Sequence, residues 1–306
     1  MSIIVKDANS VDRYYQTIED GGSSNPFQSV VPSYDLAHAT RVIFDTYGDT
    51  VSIWEKAKGL RKFGSNTLVG TSFETIAQFQ GTTANETFVT TNLIDSISSS
   101  SASDTTQTIT IEGHTIDGSG NLTFVVQDAI LNGQTKVTLT TPMARCNRMF
   151  VKDTGTPLVF PTALVVTVYV YDDTGGVTAG VPTVAAATKC LIQAGFTQSQ
   201  KAATSVSSVY YYLINNFNAA IGLTAGGGGA ASKVEVVIEA RDVSSGGAWR
   251  PRGRTIQLNV NGSGVNELFD PIIIVPPNHD IRIRAKTDSS TAEVSASFSG
   301  YLAIIT

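Results

Sequence analysis

The last 75 or so residues of the chain alternate apolar and polar side chains with a period of two. Val234, Val236, Ile238 and Ala240 are interleaved with Glu235 and Glu239, and Ile256, Leu258 and Val260 with Gln257 and Asn259. Ile281, Ile283 and Ala285 alternate with Arg282, Arg284 and Lys286, and Val294, Ala296 and Phe298 with Ser295, Ser297 and Ser299. Successive side chains of a strand point to opposite faces, so each segment carries one apolar and one polar face, whereas a helix would scatter the same residues around its axis. Turn formers such as Asn261-Gly262-Ser263-Gly264 and Pro276-Pro277-Asn278 cut the region into short strands. That punctuation is expected of a β-sandwich or jelly roll rather than of an α/β fold. The outer faces are short-chained or basic, which suits broad contacts with other protein chains.

Composition extends this reading to the whole chain. Only 15% of the 306 residues are charged, against about 25% in an ordinary soluble domain, and Ser and Thr supply about a fifth of the sequence. With 27 Gly and abundant Val and Ile, that mixture favours pleated strands and turns. The fold class expected is all-β: two sandwich-like or jelly-roll-like domains with an extended N-terminal arm. The arm is assigned to residues 1–45, where Asp20-Gly21-Gly22-Ser23-Ser24-Asn25-Pro26 interrupts any regular element. A β-rich domain follows over 46–158 and a carboxyl-terminal sandwich over 159–306, divided near the Gly/Pro stretch Gly155 to Pro161. One short helix is expected at Ser52 to Lys62, limited by Gly59 and Gly64.

In the middle segment, Thr108 to Glu112 alternates, and Asn132-Gly133 lies between Ala129-Ile130-Leu131 and Thr135 to Leu139. Asn-Gly accepts positive φ at both central turn positions, so it is expected to join adjacent antiparallel strands. Ser96 to Ser103 has almost no apolar anchor and is expected to run over the surface or be mobile. Asp117 to Asn121 and Asp172 to Gly176 read as hairpin turns rather than calcium loops, since neither has the dense carboxylate spacing of a dedicated site. The run Gly226 to Gly229 lacks a following Lys-Ser/Thr and reads as a loop tip before the Lys233 strand, not a phosphate cradle.

Several function classes lose support. Lys plus Arg is 21 and Asp plus Glu 26, a net charge of −5, which supplies no broad cationic field for nucleic acid. The longest apolar stretch, Ala163 to Tyr171, falls short of the ~18 residues of a membrane-spanning helix, and Lys6 and Asp7 interrupt the start where a signal peptide would be apolar. No membrane partner is expected, and synthesis in the cytoplasm is. Cys146 and Cys190, 190 − 146 = 44 positions apart, read as free buried thiols. His38, His114 and His279 are far apart and read as surface or loop residues; no metal or cofactor motif accompanies them. His279-Asp280 has no Gly-x-Ser-x-Gly elbow to serve, and no acid pair for glycan cleavage can be placed, so no catalytic residue is assigned.

The most distinctive polar cluster is Trp249-Arg250-Pro251-Arg252-Gly253-Arg254. Trp and Arg dominate protein interfaces because planar groups lose little entropy when fixed and Arg grips a carboxylate with two bonds. Trp249, Arg250, Arg252 and Arg254 are therefore the interface candidates, against the alternative of a solvated loop whose Trp covers the end of the sandwich.

The segments Gly64 to Thr75, Leu131 to Pro142, Gly175 to Pro182, Ala194 to Gln200 and Pro271 to Ala285, in that order after the opening Val5-Lys6-Asp7-Ala8-Asn9, resemble virion structural proteins of tailed bacteriophages. The resemblance covers most of the chain from Gly64 onward and consists of turn and strand punctuation, so no catalytic residue carries over. It implies a non-enzymatic protein at the capsid surface that decorates or cements the shell as a homo-oligomer, a trimer, with the major capsid protein and itself as partners. The alternatives are a tail or fibre component recognising a host glycan and an enzyme degrading host polysaccharide.

Overall fold

The computed structural model describes residues 2–6, 12–16, 58–80, 86–153, 166–222, 233–259 and 264–304. Two units separate, 1–55 with 306, and 56–305. In the first, β1 (Ser2–Lys6) and β2 (Asp12–Gln16) pair antiparallel, Ser2 opposite Gln16. The rest of the expected arm lies outside the described residues. So do the proposed division at 155–161, the glycine run 226–229 and His38.

The second unit is built from strands, with one 3-10 turn at Ala185–Ala187 and no α-helix among its described residues. Its first strand is β3 (Lys58–Val69), followed by β4 (Glu74–Thr75), β5 (Ile94–Ser99), β6 (Thr108–Ile116), β7 (Leu122–Ile130), β8 (Val137–Met143) and β9 (Arg145–Asp153). Then come β10 (Val168–Asp172), β11 (Val177–Thr178), β12 (Val181–Pro182), β13 (Thr188–Ile192), β14 (Ala203–Ser205) and β15 (Tyr211–Gly222). The chain ends with β16 (Lys233–Asp242), β17 (Arg250–Pro251), β18 (Ile256–Asn259), β19 (Gly264–Val275), β20 (His279–Thr287) and β21 (Ala292–Ala303). The helix expected at Ser52 to Lys62 is not formed where it is described. Residues 58–62 open β3, whose alternate side chains from Lys62 to Asn66 are buried, a period that only a strand supplies.

Among the described residues two large apolar cores result, with a small third cluster of Tyr169, Tyr171 and Leu191. The sheets β13-β10-β5-β8 and β7-β6-β9 enclose Ile94, Ile97, Ile109, Ile111, Met143, Met149, Val170 and Ile192. The sheets β14-β20-β16-β17, with β18 and β4 attached, and β19-β15-β21-β3 enclose Val69, Tyr212, Phe217, Val236, Ile283, Val294 and Phe298. Of the alternating apolar residues, Val234, Val236, Ile238, Ala240, Ile256, Leu258, Ile281, Ile283, Ala285, Val294, Ala296 and Phe298 are buried, as their spacing requires, and Val260 lies outside the described residues. The cores do not follow the division drawn between 158 and 159. β5 pairs with β10, β3 pairs with β21 over Lys58 to Val69, and β4 pairs with β20, so the first sandwich (94–192) is inserted between β3–β4 and the remaining strands of the second. Strand edges seek partners whatever the sequence distance, and β21 supplies the long apolar partner that β3 needs.

Two local expectations are corrected. Ser96 to Ser99 are not on the surface: β5 is a central strand, and Ser96, Ser98 and Ser99 are buried. Their hydroxyls are satisfied there, Ser98 Oγ donating to Gly180 O at 2.8 Å and Ser99 Oγ to Asp104 Oδ2 at 2.5 Å. Small hydroxyls with partners are inexpensive to bury. Gly180 fits against this strand because it lacks a side chain; a Cβ would stand 1.7 Å from Ser99 O, and its φ of +75° is left-handed. The Asn132-Gly133 turn is present, with Asn132 bridged to Thr135 and Gly133 at φ +59°, but it does not join paired neighbours. β7 and β8 leave it into different sheets, so the turn closes the corner of the sandwich, where the Gln127 amide donates to Thr141 O and its oxygen accepts from Thr141 N. Asp117 to Asn121 does form the β6–β7 hairpin turn, with Asp117 Oδ1 accepting from Ser119 N and Asn121 N.

Candidate functional site

The period-two pattern of β20 places Asp280, Arg282, Arg284 and Lys286 on one face, opposite Arg241, Glu239, Val237 and Glu235 of β16 in that order. Asp280 is fully buried, and a buried carboxylate requires charged partners. Arg145, reaching from β9 of the inserted sandwich, supplies a two-pronged grip, Nε to Oδ1 at 2.8 Å and Nη2 to Oδ2 at 3.0 Å. Arg241 Nε donates to Oδ2 at 3.1 Å, and Ser205 Oγ to Oδ1 at 2.6 Å. Arg145 also donates to the carbonyls of Ala144 and Val89. Glu239 accepts from Arg282 Nε at 3.0 Å, with Arg284 Nη1 at 3.7 Å, and Glu235 pairs with Lys286 at 3.0 Å. Burial draws Arg282 down to about 10, partly opposed by Glu239, so it stays a cation at neutral pH.

Five cations against three carboxylates leave 5 − 3 = 2 positive charges in this layer. Aromatic faces cover them. Arg282 lies 3.8 Å and Arg241 4.8 Å from the Trp249 ring centre, Arg145 and Arg241 lie 5.1 and 5.0 Å from Phe88, and Arg284 and Lys286 face Phe73. The negative ring face stabilises such cations by about 0.5–2 kcal/mol each, more when they are desolvated. Chemically the layer is a clamp: Asp280 has donors on both of its oxygens, and its pair with Arg145 joins one sandwich to the other.

The four interface candidates are therefore split. Trp249 turns inward on Arg241, Arg282 and, at 5.2 Å, Phe88. Arg252 is half-buried, its backbone N–H donating to Ile238 O. Arg250 and Arg254 are exposed, with Arg254 Nε donating to Glu267 Oε1 at 2.9 Å. The sequence cluster is thus not a single patch: Trp249 packs inward while Arg250 and Arg254 face solvent.

Sequence reasoning missed a second polar layer, on Lys62, Lys189 and Lys201, because isolated lysines carry no periodic signal. Lys201 Nζ bonds Glu86 Oε1, Cys146 O and Lys189 O at 2.7, 2.8 and 2.9 Å; burial opposes its charge, but Glu86 and the neighbouring thiols outweigh that and raise it. Lys189 Nζ bonds Asp172, Thr87 and Ala186 O. Lys62 has only Asn147 O at 3.2 Å, and burial lowers it to about 8. His114 is not a surface or loop residue. It is buried on β6 beside Asn147, at 3.0 Å, and burial, assisted by Lys62 and Arg145 against the pull of Asp280, lowers it to about 3. Cys146 and Cys190 are free and buried, as expected.

On the same β7-β6-β9 sheet, the outer face of β7 carries Phe124, Val126 and Ile130, exposed by 52%, 53% and 61%. Asp128 between them bonds Thr110 and pairs with Lys152, so the row is rimmed by an ion pair rather than interrupted by a bare charge. A cleft of about 320 Å³ lies between the Asp117 to Gly120 and Asp242 to Gly246 turns, floored by Arg145 and Arg241. A shallow depression of about 550 Å³ crosses the Ser- and Asn-rich outer face of the β19-β15-β21-β3 sheet. Among the described residues no group of three His, Cys, Asp or Glu is placed to hold a metal ion, and no helix is long and apolar enough to cross a membrane.

No protein-family model matches the chain, and no curated protein does. Among solved structures it is weakly similar to a chain described as "Structure of infectious bursal disease virus Gt strain", at 10% identity and a TM-score of 0.23 over 81% of this chain and 72% of that one.

Proposed function

We propose that this chain is a non-enzymatic structural protein of a bacteriophage particle, which decorates or cements the capsid exterior as a homo-oligomer, a trimer, with the major capsid protein as its partner. The observation that carries the reading is the row Phe124, Val126 and Ile130: three large apolar side chains, each more than half exposed, aligned on one sheet face. Apolar side chains aligned in that way on a rigid surface are a contact face for another protein. The Arg–Asp clamp supports the same reading, since it spends the chain's strongest charges on rigidity. The sequence resemblance supplies the phage particle as the setting. Burial on the shell, at about 25 cal/mol per Å² before association costs, would offset pressure on the lattice.

The tail-fibre alternative wants an aromatic presented to a sugar, and Trp249 is instead stacked on Arg282. The test is a triple variant, Phe124→Ser, Val126→Ser and Ile130→Ser, added to particles lacking the protein. The expected result is a folded protein that no longer binds or protects particles against heat and osmotic shock. Full protection by the variant, or equal robustness of particles lacking the protein, would overturn the reading.

A further inference from the structure

We infer that Cys146 and Cys190 form an oxidisable dithiol, which closes into an intramolecular disulfide tying the two sheets of the inserted sandwich together when the protein meets hydrogen peroxide or a comparable two-electron oxidant. Cys146 lies on β9 and Cys190 on β13, the edge strands of opposite sheets. Both thiols belong to one apolar core. The strands are clasped at that point by one ammonium group: Lys201 Nζ bonds Cys146 O at 2.8 Å and Lys189 O at 2.9 Å. Those carbonyl oxygens are thus at most 2.8 + 2.9 = 5.7 Å apart. Disulfides need Cα atoms within about 7 Å, a separation met where two sheets close at their edges rather than across their middles.

The two thiols lie in the same core and each shifts the titration of the other. The neighbouring Cys146, with Lys201 and Ser199, holds Cys190 down at about 7, while the neighbouring Cys190 and burial push Cys146 well up. Cys190 is therefore the attacking sulfur. Its thiolate attacks one peroxide oxygen, the O–O bond breaks, and a sulfenic acid and hydroxide form. The Cys146 sulfur then displaces the sulfenic oxygen, which leaves as water with the Cys146 proton, while the hydroxide takes up the proton first released by Cys190. Overall two thiols are oxidised to one disulfide and one peroxide is reduced to two waters. Small oxidants suit the site, since it opens only by fraying of two edge strands.

The experiment uses the full-length protein, reduced, desalted and exposed to hydrogen peroxide. Intact mass should fall by about 2 Da, both thiols should escape alkylation after denaturation, and a digest should contain a peptide pair joined through Cys146 and Cys190. The thermal midpoint should rise on oxidation and return on reduction, a shift absent from Cys146→Ser and Cys190→Ser. Two thiols still open to alkylation after oxidation, oxygen added to either sulfur, or a bond between chains would each overturn the inference, and these readings come from the unaltered protein even if a variant fails to fold.

Discussion

Replacing Lys62 by Met should stabilise the protein. Burial lowers the ammonium from 10.5 to about 8, which at about 1.36 kcal/mol per pKa unit is about 3 kcal/mol of strain at neutral pH. Met fills a similar volume without charge, and the lost hydrogen bond to Asn147 O gives back about 1 kcal/mol, so the expected gain is about 2 kcal/mol. The pH dependence distinguishes this mechanism from better packing. The folded pKa lies below the unfolded one, so between about 8 and 10.5 the unfolded chain holds more protons and stability rises with pH. From about pH 7 to about pH 9.5 this group alone should add about 2 kcal/mol to the natural protein and nothing to Lys62→Met. Urea unfolding of both proteins at the two pH values gives the comparison, with other titrations cancelling in the difference. A variant less stable at neutral pH, or an equal pH gain in both proteins, would refute the reasoning.

His114 titrates in the opposite window. Its folded pKa of about 3 lies below the ordinary 6.5, so the unfolded chain is protonated first as pH falls, and by about pH 5 about 2 kcal/mol is lost; His114→Gln should show a smaller fall in urea midpoint between neutral pH and that point. Asp280→Asn leaves Arg145 and Arg241 facing a neutral amide and should cost about 3–5 kcal/mol, read by thermal unfolding; a shift below about 1 kcal/mol would contradict the clamp. Gly180→Ala should cost more than about 2 kcal/mol, from its left-handed φ and the closeness of Ser99 O, and near-native melting would show that the contact is loose.

The carboxyl-terminal strands were legible because Val234 to Ala240 and Ile281 to Ala285 obey a local period that burial on one face imposes. The strand at Ser96 to Ser99 was not. Polar-for-exposed reasoning treats a serine like a lysine, although a hydroxyl with one carbonyl partner is readily buried, as Ser98 shows with Gly180. The Asn132-Gly133 turn conformation was readable, since it depends on two residues, but the sheets its strands enter are set by distant edges. The same limit hid the clamp: Arg145 and Asp280 are 135 positions apart, and no spacing rule connects them. Trp249 stood out by composition, yet its inward packing depends on Arg282 from another strand.

The pairing of Val69 with Ala292 has a consequence for how the chain is made. A ribosome must add 292 − 69 = 223 residues after Val69 before that rung of the sheet has its other half. Over that interval the inserted sandwich, whose buried core residues all lie between Ile94 and Ile192, can mature, while β3 waits as an open ribbon. A nascent chain halted at about residue 200 should thus carry one protease-resistant body, and the second should appear only once the last strand has emerged.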